Sequence, residues 1–70
     1  MAFSDPDVVI GRSGFVTLAI PGGPEPGEVL LRVRGGSETY AAYADQPVEE
    51  GAQVVVLADR GSRALTVAPL

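Results

Sequence analysis

Apolar and polar residues alternate with a period of two along most of the chain, and the alternation breaks wherever glycine and proline cluster. That period is the mark of strands with one buried and one solvated face. The clearest stretch is Glu28 to Ala44, EVLLRVRGGSETYAAYA, which reads as two strands around a tight turn at Gly35-Gly36. A two-residue hairpin loop needs positive φ, which glycine adopts without steric cost. With that turn, Arg34 stands opposite Ser37, Leu31 opposite Tyr40 and Val29 opposite Ala42, and the apolar members share one face. Arg32 then faces Thr39, Leu30 faces Ala41 and Glu28 faces Tyr43 on the other side. A slip of one residue turns both arginines inward, so the face each residue takes is strongly specified.

The remaining elements follow from the same pattern. Met1 to Asp7 is a loose lead-in, and Val8-Val9-Ile10 either opens the first strand or is the stub of a linker, so residues 1–10 are set apart from a folded unit at 11–70. Gly11 and Gly14 mark a bend or bulge. Phe15 to Ile20 is a strand with Val16, Leu18 and Ile20 inward and Phe15 covering one end. Pro21 to Gly27, PGGPEPG, is a connector, since proline cannot donate to a sheet ladder. Val48 follows in a short turn, tucked under the sheet. Gln53 to Leu57 is a strand apolar on both faces, and Asp59-Arg60-Gly61-Ser62 is a turn. Ala64 to Pro69 closes the set with Leu65 and Val67 inward. No run of ten residues shows helical periodicity free of Gly or Pro. The fold expected is all-β, a small five-stranded OB-type barrel, with an SH3-like barrel as the alternative. Its core is expected to hold Val16, Leu18, Val29, Leu31, Tyr40, Val54, Val56, Leu65 and Val67.

Composition narrows the function. The 70 residues make one small domain, and at 46% hydrophobic they have the material for a core. There is no Cys, no His and no Lys; all five positive charges are arginines. Thiol nucleophiles, thiolate or imidazole metal sites, Schiff bases and a phosphate-binding P-loop are therefore excluded. The turn Val48-Glu49-Glu50-Gly51 is similar to one in biotinyl and lipoyl carrier domains, but those attach their cofactor to a lysine that this chain lacks. No catalytic, cofactor-binding or metal-binding residue is assigned, and no cofactor is expected. A net charge of −4 opposes the basic face of a nucleic-acid binder. The longest apolar run falls short of the ~20 residues that span a bilayer, so the chain as given reads as soluble.

What remains is a surface. Arg32 and Arg34 alternate on the outer face of the hairpin with Tyr43 across from them, which as a solvated face needs no further explanation. Leu30, Tyr43, Val55 and Leu57 are apolar positions that the alternation places outward. The candidate partner-binding face is Leu30, Arg32, Arg34, Tyr43 and Val55. The alternative reading of the same arginines and tyrosine is a free-standing OB-fold domain binding single-stranded nucleic acid.

In its order of strands and turns the chain resembles the C-terminal domain of the NfeD family. The resemblance runs from Gly11 to Leu70. It rests on Gly11 and Gly14 before the first strand, the Pro/Gly loop into Gly27-Glu28-Val29, and the turn at Gly35-Gly36. Tyr40 and Ala42, the Val-x-x-Gly-x-x-Val-x-Val run from Val48 to Val56, and the last apolar strand before Pro69 complete it. The Pro21–Gly27 loop is longer than the family's usual turn. The resemblance implies a non-enzymatic OB-type domain of a membrane-anchored parent protein, held in the cytoplasm. It also implies action with a membrane scaffold protein of the stomatin/prohibitin/flotillin type.

Overall fold

A computed structural model of the chain describes residues 9–33 and 35–70. The lead-in expected at Met1 to Asp7, together with Val8 and the placement of Arg34, lies outside the described residues. Five strands are described: β1 (Ser13–Leu18), β2 (Gly27–Val33), β3 (Gly36–Tyr43), β4 (Gln53–Gly61) and β5 (Ala64–Pro69). They close into a barrel in the order β1-β2-β3-β5-β4, with β4 returning to β1. Every neighbouring pair is antiparallel except β3 and β5, which run parallel. This is the expected all-β, five-stranded OB-type barrel, and the described residues contain no helix. Closure suits so short a chain, because it leaves few unpaired strand edges.

The inward residues of each strand meet in one cluster. Val16, Val29, Leu31, Val54, Val56, Leu65 and Val67 are buried, as the alternation requires. Val9, Ile20, Ala42, Ala44 and Val48 join them. Tyr40, expected in the core, is only half-buried and packs against its edge.

Leu18 is a correction. It is 59% exposed, because β1 carries a bulge between Val16 and Leu18. Val16 pairs with Val29 but Leu18 pairs with Glu28, so Thr17 is an extra residue. Paired residues share a face, and the extra residue turns Leu18 to the outward face that Glu28 occupies. Ile20 returns to the core beyond the strand, through a bridge to Val48. Phe15, expected to cover one end of the barrel, is instead 53% exposed on the outer face.

The hairpin register is a second correction. Val33 pairs with Gly36, Arg32 with Ser37, Leu30 with Thr39, Val29 with Tyr40 and Glu28 with Ala41. Relative to a Gly35-Gly36 turn, the strands have slipped by two residues. Gly35 supplies the positive φ, at 78°, and Gly36 is the first residue of β3. A two-residue slip preserves every inward and outward assignment, so the alternation is equally satisfied by both registers.

The last turn also moves. Asp59, Arg60 and Gly61 belong to β4, and Gly61 pairs with Ala64. Ser62 and Arg63 form the loop, at φ of 54° and 57°, the conformation of a type I′ hairpin built here without glycine. β4 is bulged between Val56 and Ala58 and again between Asp59 and Gly61. The first bulge leaves Leu57 exposed.

Candidate protein-interaction surface

The Thr17 bulge adds Leu18 to the outer face of β1 and β2. Phe15 pairs with Leu30 and Leu18 with Glu28. Directly opposed residues on one face hold their Cβ atoms about 4.5–5.5 Å apart, and Glu28 and Leu30 are same-face neighbours along β2. Phe15, Leu18 and Leu30 therefore form one outward apolar patch, with Glu28 in its border. Thr17 Oγ1 donates to the Glu28 carboxylate at 3.3 Å. Arg32 follows Leu30 on the same face of β2 and is exposed.

The five positions expected to form a partner face are not brought together equally. Leu30 and Arg32 are adjacent on β2. Val55 is reached from them across β1, since Val55 pairs with Ser13 while Leu30 pairs with Phe15. Tyr43 stands apart: Leu30 pairs with Thr39, four residues earlier on β3, or about 13 Å at the usual strand rise. Its ring is also covered, with the Arg60 guanidinium 3.9 Å from the centroid. Arg34 lies outside the described residues. Leu18 was missed because the period-2 reading carried β1 straight through Thr17, and Phe15 because it was assigned to cover one end of the barrel rather than to the outer face. The exposed Thr17 between two apolar neighbours carries no sequence signal of a bulge.

Arg12 and Arg32 line a shallow hollow with Gly35, Gly36 and Ser37 beside the β2–β3 turn. Farther round, Arg63 donates to the Glu38 carboxylate at 2.8 Å and to the Thr39 carbonyl at 3.0 Å. The same guanidinium stands 4.9 Å from the centre of the Tyr40 ring. Each tyrosine ring is thus faced on one side by an arginine of the chain itself, which leaves less of it open for stacking a base. Among the described residues no three His, Cys, Asp or Glu side chains are placed to hold a metal ion. No polar or charged residue among them is buried.

At the other end of the barrel a second hollow opens between the β1–β2 and β3–β4 connections. Ala19, Ile20, Pro21, Pro47, Val48, Glu49 and Pro69 line it.

Comparison with known proteins agrees with this architecture. The sequence model of the NfeD C-terminal domain matches residues 13–68. The soluble domain of the NfeD protein YuaF from Bacillus subtilis has a similar structure, with a TM-score of 0.72 and 33% identity. The alignment covers 91% of this chain and 75% of that one. The C-terminal domain of stomatin operon partner protein 1510-C from Pyrococcus horikoshii shares the fold, with a TM-score of 0.75 over 97% of both chains and 24% identity. No curated protein matches the chain.

Proposed function

Because the chain belongs to the NfeD C-terminal domain family, we propose that it is a non-catalytic protein-interaction domain of a membrane-anchored protein, acting with a stomatin-type membrane scaffold. The observation that carries this reading is the outward apolar patch of Phe15, Leu18 and Leu30. Scattered exposed apolar residues are ordinary, but neighbouring ones raised by a bulge make a contact surface. Arg32 at the edge of the patch supplies orientation toward an acidic counterpart. Val55, reached across β1, extends the face, and Arg34 follows Arg32 in sequence. Tyr43, stacked under Arg60, is peripheral to it.

The name of the archaeal neighbour, a stomatin operon partner, supports the choice of partner class. No helix among the described residues is long and apolar enough to cross a membrane, so anchoring falls to a segment beyond the barrel. Tethering raises effective concentration to the millimolar range for a short flexible linker, so the face needs little intrinsic affinity. The sequence offers no His, Cys or Lys for catalysis, which favours a binding role over an enzymatic one.

The test is co-purification of the full-length anchored protein with its scaffold, comparing wild type with Phe15→Asp plus Leu30→Asp. Both side chains point outward, so the barrel is expected to keep its circular dichroism spectrum while co-purification falls. A folded double variant that recovers the scaffold at wild-type levels removes this face from consideration.

A further inference from the structure

We propose that the proline-lined hollow at the end of the barrel opposite the two hairpin tips docks a short basic segment of a partner protein. One bulky apolar side chain would sit in the hollow, flanked by Lys or Arg. This is a second surface, which abuts the β1–β2 face only at the Leu18–Ala19 step and is built by different loops.

Three features fit that occupant. The first is shape and polarity. The hollow is wide and open to solvent, with a volume of about 580 Å³, and the residues that line it are apolar except for Glu49. Ala19, Pro21, Pro47 and Pro69 at its rim are exposed, while Ile20 and Val48 form a buried floor. A leucine-sized side chain placed there removes apolar surface on both partners from water.

The second feature is rigidity. Ile20 and Val48 exchange backbone hydrogen bonds of 2.8 and 2.9 Å, and Gly23 N–H donates to the Ala44 carbonyl at 3.1 Å. Those bonds tie the two connections to one another. Pro21, Pro47 and Pro69 have fixed φ and lack a donor, so little conformational freedom remains to be lost on binding.

The third feature is charge. The two connections, residues 19–26 and 44–52, carry Glu25, Asp45, Glu49 and Glu50 and no basic residue. The described arginines lie toward the opposite end. Arg12 and Arg32 adjoin the β2–β3 turn, and Arg60 and Arg63 adjoin or form the β4–β5 turn. The barrel is therefore polarised, and its acidic end draws a cationic segment and repels an anionic one. An apolar hollow with acidic surroundings also disfavours an anionic lipid surface as the occupant.

The experiment is fluorescence anisotropy of a labelled, end-capped peptide with one leucine between two pairs of lysines, titrated with the folded chain at low salt. Saturable binding is expected. Exchanging the peptide's leucine for glycine should weaken it roughly tenfold or more. Glu49→Gln plus Glu50→Gln, at two exposed positions, should weaken it roughly three- to tenfold. Phe15→Ser plus Leu30→Ser, which alters the β1–β2 face without adding charge, should leave it unchanged, so the failure of this proposal and of the scaffold-docking face are read separately. Absence of binding overturns the proposal, as does equal binding of the leucine and glycine peptides, which is charge attraction alone. A concentration-dependent self-association of the chain, lost on Glu49→Gln plus Glu50→Gln, assigns the hollow to a second copy and overturns it as well.

Discussion

The barrel has two seams that close by different means. Between β1 and β2 the backbones themselves are in contact: a Cβ added at Gly27 would fall closer than 3.0 Å to the carbonyl oxygens of Leu18 and Ala19. One added at Gly14 would meet the Leu30 carbonyl and the Leu31 side chain. Between β3 and β5 the parallel ladder pairs only Ala41, Ala42 and Tyr43 with Ala64, Leu65 and Thr66. There a side chain extends the seam. Arg63 accepts from Ala41 N–H through its backbone oxygen at 3.0 Å, and its guanidinium reaches back to Glu38, Thr39 and Tyr40. The first seam is held by exclusion of atoms and the second by a clamp. Disturbance of the first should therefore propagate through the fold, and disturbance of the second should stay local.

The largest effect is expected from Gly27→Ala. Its obstacles are two backbone carbonyls at the bulge, which have no rotamer to escape into, so the seam must part. The cost should be about 3 kcal/mol or more, at or beyond the upper end for overpacking, and it reads out in urea unfolding. Leu31→Ala comes next. Leu31 is fully buried on β2, and its truncation should cost about 2–5 kcal/mol. If Gly27→Ala unfolds at the wild-type midpoint, the close-packed description of the β1–β2 seam is wrong.

Arg63→Ala tests the clamp. The ion pair with Glu38 joins side chains 60% and 45% exposed, so solvent screening leaves it little weight. The hydrogen bond to the Thr39 carbonyl and the contact with the Tyr40 ring contribute about 0.5–1.5 and 0.5–1 kcal/mol in comparable settings. A total loss of about 1–2 kcal/mol is expected, with faster amide exchange at Ala41 but not in β1 or β2. Glu38→Gln should cost less than about 0.5 kcal/mol and less again at high salt. Equal losses for the two variants would place the ion pair, rather than the carbonyl and ring contacts, at the centre of the clamp.

The seams also differ in how far the sequence disclosed them. Inward positions were legible on β1, β2, β4 and β5, since Val16, Val29, Leu31, Val54, Val56, Leu65 and Val67 obey a period of two. That period is silent about slips of two residues. Two glycines at 35 and 36 therefore left the β2–β3 pairing ambiguous between registers that bury the same residues. It is equally silent about bulges. Thr17 and Leu57 each insert one residue, and the first sends Leu18 from the expected core to the surface. The candidate patch arises from that failure, because a strand without the bulge would hold Leu18 inside. The Arg63 clamp joins residues 24 and 25 positions apart, a separation at which local pattern carries no information.

An effect of similarly small size concerns the turn that aims the clamp. Ser62 and Arg63 both sit at positive φ, a conformation L-residues resist. Arg63 is compensated by its bonds to β3, whereas the described hydrogen bonds give Ser62 no such return. Ser62→Gly removes the steric cost but gives the unfolded chain more freedom to lose, and the two terms largely offset. A net gain of about 0.5 kcal/mol is expected, which for a domain of this size raises Tm by about 2–4 °C. Ser62→Val reverses the sign, because a branched Cβ is least tolerated at such φ. In the Arg63→Ala background the gain from Ser62→Gly should be the same, since it belongs to the backbone and not to the clamp. A gain that disappears in that background would show that turn and clamp act as one unit, and the β3–β5 seam would then depend on its turn as the β1–β2 seam depends on its glycines.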